Sequence, residues 1–440
     1  MNRLERAVSL YTALLWVVAV LISCAVFGGL SGTETSAYHA RMAELFREQG
    51  YAGYDPLSYG GREFTYYPLG YIIAGLVLRV VPPWAFYALL PALSFGIYIL
   101  LLYHIHRRFA DEQASMSMVL LTLSIAYGSF GRFFIHQLAY LPAMASVLLY
   151  MRRMPLASGA LAGVAGLIHL ESLLFVGAFL GALSLRDRSA LLPVALGAVV
   201  AAPYYIHLLA SSGWYLPILD PRYRELLTAY WGDINPDVQN LLRLRYFLFL
   251  GVAGALGMLR RAELPGMVLI GAILAISGTR FISPLGVVLF SVPAAVLFSG
   301  TPQRRALLLG AAVYSLVYLS YAVSGPLQAQ TEPALLDTLE WIRDNTPEDT
   351  TVVAPMKLGH QIAYYAQRKN FADGLMEFAD LRKAELSMQA FRGNTSALQE
   401  ILSTAPEPKV FLVRKGTPAY RYLSTKLEVM YEHGSYAVLG

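Results

Sequence analysis

Long apolar runs separated by short polar segments occupy the first three quarters of the chain. A helix that crosses a bilayer needs about 20 mostly apolar residues, and such runs recur from Ala7 to about Ser324. The pattern predicts about eleven transmembrane helices. We expect them at residues 7–30, 84–103, 114–130, 137–151, 156–168, 170–185, 189–207, 246–259, 264–277, 281–298 and 306–324.

Basic residues indicate how these helices are oriented, because short cytoplasmic loops of membrane proteins are rich in Lys and Arg. Arg3 and Arg6 precede the first run, which is too long for a signal-peptide core and is interpreted as a retained anchor. The arginines between the later apolar runs fall on the cytoplasmic side if the N-terminus is inside and the C-terminus is outside. The apolar stretch 68–81 is short for a span, so we expect it in the outer interface. If it crossed, the basic cluster 104–108 would lie outside.

Composition supports a membrane protein. The 440 residues are 56% hydrophobic and 14% charged, whereas soluble proteins carry roughly 25% charged residues. This argues against a cytosolic enzyme, a disordered chain and a fibrous protein. The net charge of +5 comes without a basic arm interleaved with aromatics, so we expect no nucleic-acid partner. The single cysteine, Cys24, excludes an intrachain disulfide and any cysteine-based metal site.

Residues 325–440 change character. An amphipathic helix with Thr331 as its N-cap is followed by β-rich runs at 351–354 and 410–413, and by a hairpin around His433 and Gly434. The sequence therefore predicts an α-helical polytopic membrane protein with a C-terminal extracytoplasmic α/β domain. The transmembrane domain would comprise residues 1–324, with external loops at 31–83 and 208–245, and the α/β domain would comprise residues 325–440.

Polar and aromatic residues collect in the first external loop. Long loops of this kind at a membrane rim are seldom mere connectors. The plain alternative is a capped interfacial helix whose tyrosines form an aromatic belt. The candidate residues in this loop are Glu34, His39, Asp55, Tyr59, Arg62 and Tyr66.

An acidic residue after the first span, a helix start with Tyr38, His39 and Arg41, and the segment DPLSYGGREFTYYP resemble the GT-C superfamily of membrane glycosyltransferases. The resemblance extends to relatives of the oligosaccharyltransferase catalytic subunit and of protein O-mannosyltransferases. It implies membrane-parallel helices in the first loop and a sugar donor linked to polyprenyl phosphate. Two features depart from the family. The acceptor-reading Trp-Trp-Asp-Tyr-Gly motif is replaced by residues 355–359, and the second external loop lacks an acidic pair, so a divalent metal (Mg or Mn) stays open.

Transfer of a sugar from a lipid phosphate needs a base for the acceptor hydroxyl and positive charge for the departing phosphate. Glu34 is the predicted base. Asp55 is the second choice, or it orients the acceptor, or it caps the Asp-Pro turn. The candidates for donor phosphate binding are Arg280, Arg62 and Arg132, with snorkelling to headgroups or structural ion pairs as alternatives.

Further polar residues are predicted to contact substrate. His169 and Glu171 interrupt two apolar runs, where polar groups are costly and often functional. A helix-turn cap is the alternative for this pair. The predicted substrate-binding set is His39, Tyr59, Tyr66, His136, His169 and Glu171.

Together these features favour an inverting glycosyltransferase in the cytoplasmic membrane. It would move a sugar from a polyprenyl-phosphate donor to a hydroxyl of a lipid, glycan or protein acceptor on the outer face. A transporter or flippase is the first alternative, although repeated halves and matched broken helices are missing from the sequence. A noncatalytic scaffold derived from a transferase is the second.

Overall fold

The computed structural model describes residues 3–26, 34–130, 133–211, 220–234, 284–328, 332–376 and 379–440. Contacts divide the chain into two compact units. The membrane unit comprises residues 1–30, 67–206 and 237–328, and the loop–tail unit comprises residues 31–66, 207–236 and 329–440. Several predictions fall outside the described residues: the spans at 246–259 and 264–277, and the residues Arg132, Arg280 and Thr331.

The described parts of the membrane unit are helical. Two of the helices before residue 328, Glu34–Gln49 (α2) and Pro221–Ile234 (α10), belong to the loop–tail unit. In chain order the helices up to residue 328 are α1 (Arg3–Val26), α2 (Glu34–Gln49), α3 (Pro68–Leu78), α4 (Pro83–His106), α5 (Glu112–Phe130), α6 (His136–Met151), α7 (Pro155–Ile168), α8 (Leu170–Ser184), α9 (Leu191–Ser211), α10 (Pro221–Ile234), α11 (Pro284–Phe298) and α12 (Arg304–Gln328).

The predicted spans outside 246–277 each coincide with one of these helices, to within a few residues at either end. Among the described residues, three helical stretches are long and apolar enough to cross a membrane: Arg3–Ile22, Pro83–His106 and Arg188–Ser211. The chain is therefore a membrane protein built largely of helices. The count of about eleven spans stays a prediction.

Helix α3 is too short to span a bilayer by itself. Its 11 residues give a length of about 16 Å, whereas the hydrocarbon core is about 30 Å thick. This length favours the interfacial interpretation of residues 68–81 over a crossing helix.

Large apolar side chains line both the inside and the outside of the membrane unit. Trp16, Phe95 and Phe130 are fully buried in its core, and Trp16 Nε1 donates to Ser315 Oγ over 2.7 Å, which joins α1 to α12. In contrast, residues such as Val199 are 67% exposed. An apolar exterior of this kind is typical of a surface that faces lipid.

The loop–tail unit contains both sheets of the described chain. Its first loop forms a short antiparallel pair, β1 (Tyr54–Asp55) and β2 (Arg62–Glu63). The remaining elements are α13 (Pro333–Asn345), β3 (Thr351–Val353), β4 (Lys369–Asn370), α14 (Leu381–Phe391), α15 (Thr395–Thr404), β5 (Lys409–Arg414), α16 (Pro418–Leu423), β6 (Val429–His433) and β7 (Tyr436–Leu439).

These strands form one five-stranded sheet in the order β4-β3-β5-β7-β6. Strands β4, β3 and β5 run parallel, and β7 runs antiparallel to both β5 and β6. The predicted hairpin is the β6–β7 pair, and Gly434 in its turn has a φ of 52°, which favours glycine. The C-terminal sheet with its helices agrees with the predicted α/β architecture.

Helix α13 starts later than the sequence predicts. Glu332 is its N-cap and Pro333 is its first residue, because proline has no N–H to leave unpaired and its fixed φ suits the first helical position. The predicted apolar stripe is buried at Leu335, Leu339 and Ile342. The predicted domain boundary after residue 324 stays a prediction, and α12 runs to Gln328.

Candidate functional site

Helix α2 begins at Glu34, the predicted base, whose side chain lies outside the described residues. Two further polar residues of this helix, His39 and Arg41, are buried, with 1% and 8% of their surfaces exposed. Tyr38 and Tyr59 are also buried, at 3% and 4%. An aromatic belt would leave its rings at the surface, so this burial argues against the plain interpretation of the loop.

Asp55 forms a buried ion pair with Arg41. Arg41 Nη1 donates to Asp55 Oδ1 over 2.7 Å and Nη2 donates to Oδ2, and the backbone N–H groups of Leu57 and Ser58 also donate to Oδ1. Burial would raise the pKa of Asp55, but the Arg41 charge and these hydrogen bonds outweigh it and lower that pKa. A general base works best with a pKa near the operating pH. The geometry therefore supports the turn-capping alternative for Asp55.

The turn after Asp55 is held by residues far along the chain. Tyr59 has a φ of 53°, in the left-handed region, and its N–H donates to Asn370 Oδ1 over 2.9 Å. The Tyr59 hydroxyl donates to the carbonyl of Asp373 over 2.7 Å, and Ser58 Oγ donates to Asp373 Oδ2 over 2.7 Å. These bonds give Tyr59 a structural task, and its contact with substrate stays a prediction.

Arg62, a predicted phosphate ligand, lies in the same network. Its Nη1 donates to the carbonyl of Leu375 over 2.7 Å, and its guanidinium carbon lies 5.3 Å from the centre of the Tyr59 ring. A cation over an aromatic face is a stabilising arrangement. The geometry supports a structural role for Arg62, as the sequence allowed, and its contact with phosphate stays a prediction.

The rings of His39 and Tyr66, two residues of the first loop that the sequence predicts to bind substrate, contact each other. Their ring centroids are 5.9 Å apart at an interplanar angle of 62°, and Tyr38 contacts both rings. Tyr38 also packs on His360 with centroids 4.8 Å apart. Burial lowers the pKa of His360, and Asp373, whose Oδ2 lies 3.5 Å from His360 Nδ1, offsets this only in part.

A second group of predicted residues meets in the membrane unit. His136 is the first residue of α6 and His169 is the N-cap of α8. Their ring centroids are 3.9 Å apart with the planes tilted by 33°. Glu171 Oε2 lies 3.8 Å from His169 Nδ1, and both side chains are about one-sixth exposed, at 15% and 16%. The structure thus places His136, which the sequence singles out separately, beside the predicted pair of His169 and Glu171.

Tyr67 contacts this histidine pair and was missed by the sequence reasoning, as were Tyr204 and Tyr205, which contact Tyr67. The Tyr67 ring lies edge-on to His169 with centroids 5.3 Å apart, and it also contacts the rings of Tyr204 and Tyr205. The Tyr205 hydroxyl donates to the Gly166 carbonyl over 2.8 Å. The available signal was the position of Tyr67 directly before a proline, where a helix N-terminus is expected.

The described residues do not fit a metal centre. No group of three or more His, Cys, Asp or Glu side chains within them is placed to hold a metal ion. The lone pair of an imidazole nitrogen lies in the ring plane, and His136 and His169 meet largely face to face. Two rings stacked in this way do not direct their lone pairs at one ion about 2 Å from each.

Comparison of the sequence with models of protein families found no match, and comparison with curated proteins found none either. Comparison with solved structures found matches in fold. The Archaeoglobus fulgidus oligosaccharyltransferase in its apo form is 16% identical with a TM-score of 0.61, over 92% of this chain and 69% of that one. The same protein in complex with Zn and sulfate is 18% identical, with a TM-score of 0.57 over 91% and 68%.

ArnT from Cupriavidus metallidurans, solved with bound undecaprenyl phosphate, matches along nearly its whole length. The match covers 97% of both chains, with 15% identity and a TM-score of 0.56. At these identities the likeness shows the fold alone, and it leaves the chemistry to the residues themselves.

Proposed function

Since this chain has the fold of the GT-C membrane glycosyltransferases, as the sequence resemblance predicted, we propose that it is an inverting glycosyltransferase. It would take a sugar from a polyprenyl-phosphate donor and pass it to a hydroxyl of a lipid, glycan or protein acceptor. The reaction would occur at the outer face of the cytoplasmic membrane, with the N-terminus inside and the loop–tail unit outside.

One observation carries this proposal. The fold match to ArnT extends over 97% of both chains, and that protein was solved with undecaprenyl phosphate bound. A match that extends over nearly the whole of both chains supports a similar arrangement of helices and tail, and hence a similar class of substrate. It supports a lipid-phosphate substrate more strongly than a transporter, for which the sequence has no repeated halves.

The proposed step forms one bond and breaks another. Glu34 accepts the proton of the acceptor hydroxyl, and the acceptor oxygen attacks the anomeric carbon of the sugar. The bond from that carbon to the phosphate oxygen breaks, and the configuration at the carbon inverts. The lipid phosphate leaves with the electron pair of the broken bond, so cationic groups or helix N-termini facing its oxygens would lower the barrier.

The test is transfer of radiolabelled sugar from a panel of lipid-phosphate donors by the purified full-length chain. Glu34→Gln should reduce turnover about 10²–10⁴-fold, because an amide cannot accept the proton, and it should leave the melting temperature unchanged. Glu48→Gln is the matched control, since Glu48 lies on the same helix and is largely exposed, at 64% of its side chain. It should transfer sugar at the wild-type rate.

Two results would count against the proposal. Equal turnover by wild type and Glu34→Gln would remove Glu34 from the reaction. An absence of transfer by the wild type with every donor in the panel would favour the noncatalytic scaffold, which the missing acidic pair of the second external loop keeps as an alternative.

A further inference from the structure

Two helix hairpins of the membrane unit have their tips side by side. The α6–α7 tip comprises residues 152–154, and the α8–α9 tip comprises residues 185–190. The Tyr150 hydroxyl donates to Asp187 Oδ2 over 2.9 Å and lies 3.2 Å from Ser189 Oγ. Arg153 Nη1 lies 3.4 Å from the same carboxylate oxygen. The two tips therefore form one continuous surface.

Glycines in the helices that follow the tips keep the two hairpins close. A Cβ at Gly159 of α7 would lie 2.7 Å from Leu196 Cβ of α9, and a Cβ at Gly197 of α9 would lie 2.7 Å from Ala162 Cβ of α7. Small residues at such contacts let two helix backbones approach each other in a membrane. The packing of α7 on α9 thus fixes the position of one tip relative to the other.

The paired tips carry a concentrated positive charge. They contain four arginines and one aspartate, which gives a net charge of +3. All four arginines are exposed. In the part of the chain that the structure describes, the side chains of Arg152 and Arg188 have no hydrogen-bond or ion-pair partner. The four arginines are Arg152, Arg153, Arg186 and Arg188.

Three arginines elsewhere on the predicted cytoplasmic side are paired with acids. The general preference of cytoplasmic loops for arginine accounts for the presence of both groups, but it does not account for the difference between them. The excess of positive charge is thus a feature of the two adjoining tips. The three ion pairs elsewhere are Arg6–Glu112, Arg304–Asp111 and Arg305–Glu5.

The backbone at Arg153 indicates that its side chain has a task. Arg153 has a φ of 63°, its N–H donates to the Tyr150 carbonyl, and the Met154 N–H donates to the Leu149 carbonyl. In this Schellman arrangement the residue with positive φ is usually glycine, because a Cβ is disfavoured there. The ion pair with Asp187 does not offset this cost, since the two side chains are 87% and 41% exposed and exposed pairs contribute little. Backbone strain of this kind is often found at binding sites.

Exposed apolar side chains surround the four arginines. Guanidinium groups match the oxygens of a phosphate, and apolar side chains at the end of a membrane helix contact acyl chains. A phospholipid with an anionic headgroup has both chemistries in one molecule, and basic pockets between membrane helices are known to bind such headgroups. A free anion would use the arginines only. The apolar residues beside the tips are Met154, Leu156, Leu185, Leu191 and Leu192.

We propose that the α6–α7 and α8–α9 tips form a binding site for an anionic phospholipid of the bilayer. The four arginines hold the phosphate of the headgroup, and the exposed apolar side chains beside them hold the start of the acyl chains. Binding a bilayer lipid requires no sugar transfer, so the site does not rest on the proposed function.

The test measures binding of phosphatidylglycerol and phosphatidylcholine to the purified full-length protein by native mass spectrometry, with inorganic phosphate as a competitor. We expect phosphatidylglycerol to bind at least roughly tenfold more tightly than phosphatidylcholine, and high salt should reduce the difference by screening. Arg152→Gln/Arg188→Gln should weaken phosphatidylglycerol on the order of 20-fold, because each arginine near an anionic headgroup contributes about a fivefold factor. Arg107→Gln/Arg108→Gln is the matched control, since it removes the same charge from the exposed tip between α4 and α5, and it should leave the affinity unchanged.

The variant Arg153→Gly separates binding from folding. Glycine adopts a positive φ without steric cost, so the melting temperature should not fall. The affinity for phosphatidylglycerol should fall about fivefold with the loss of one cationic group. Arg152→Lys/Arg188→Lys keeps both charges and should retain most of the affinity that Arg152→Gln/Arg188→Gln loses.

Equal affinities for phosphatidylglycerol and phosphatidylcholine would overturn the inference, and so would equal effects of Arg152→Gln/Arg188→Gln and Arg107→Gln/Arg108→Gln. Binding of inorganic phosphate at these arginines without binding of phosphatidylglycerol would replace the lipid by a free anion and would overturn it as well. Phosphatidylglycerol binding that is weakened by Arg152→Gln/Arg188→Gln and by Arg153→Gly, but not by the control, supports the site whatever the sugar-transfer assay gives.

Discussion

Replacing Asp55 by asparagine tests whether this buried charge in the first loop is structural or catalytic. In the native chain the carboxylate accepts two hydrogen bonds from Arg41 and two from backbone N–H groups. Only 2% of the Asp55 side chain and 10% of the Arg41 side chain are exposed. Asp55→Asn keeps the shape of the side chain but leaves the Arg41 guanidinium buried without an opposing charge.

The expected cost is large because both charges are out of water. Removing one partner of a buried ion pair costs about 3–5 kcal/mol, which corresponds to a fall in melting temperature on the order of 10 °C. The pH dependence has a definite sign. Since the pKa of Asp55 is lowered in the folded chain, its contribution to stability is present above the unfolded-state pKa of about 4 and is lost as the pH falls below it. Asp55→Asn should lack this pH-dependent contribution to the free energy of unfolding.

The assay is thermal unfolding of the full-length protein, followed by intrinsic fluorescence, with sugar transfer measured on the same samples. Asp344→Asn is the control, because Asp344 forms an exposed pair with Arg343 that is worth less than about 1 kcal/mol. The double variant Arg41→Met/Asp55→Asn should be destabilised by less than the sum of the single variants, since it removes the stranded charge. An unchanged melting temperature in Asp55→Asn together with abolished transfer would refute the structural assignment and make Asp55 catalytic.

Other residues give predictions of the same kind. Burial lowers the pKa of His360 in the folded chain. As the pH drops below about 6.5, the unfolded chain therefore takes up a proton before the folded chain does. The melting temperature should fall between pH 7 and pH 5, and it should fall less in His360→Gln. Gly70→Ala, whose new Cβ would meet Ile135, should cost about 1–3 kcal/mol in thermal unfolding. Asn370→Ala, which leaves the Tyr59 N–H without its acceptor, should cost about 1–3 kcal/mol, and a cost near zero would show that the turn holds without it.

The helices were predictable because each depends on the residues within it. An apolar run of sufficient length is a helix in lipid whatever its neighbours are, since the backbone has no water to bond with. For this reason the predicted run 84–103 and the observed helix Pro83–His106 nearly coincide. The predicted start of α13 was wrong because the preference for threonine at the N-cap was given more weight than the preference for proline at the first helical position.

The loop–tail contacts were not predictable from local pattern. Ser58 and Asp373 are 315 residues apart in the sequence, yet Ser58 Oγ lies 2.7 Å from Asp373 Oδ2. Asp55 was singled out as a candidate base or turn cap, and its ion pair with Arg41 has no sequence pattern that predicts it. A carboxylate near a turn has the same sequence signature whether it is a base or half of an ion pair, and only its partners distinguish the two.

The histidine pair shows a further limit of motif-based reasoning. His169 was singled out because polar residues between apolar runs are costly and therefore seldom idle, whereas His136 was singled out as a polar residue of the second external loop. Neither position carries a sequence signal of its partner, because the ring contact at a centroid distance of 3.9 Å depends on how α6 and α8 pack. Gly70 gives the nearest local signal of this packing, since a Cβ there would meet Ile135 and Ile168. A polar residue between apolar runs therefore indicates that it has a task, and only its neighbours in the fold distinguish one task from another.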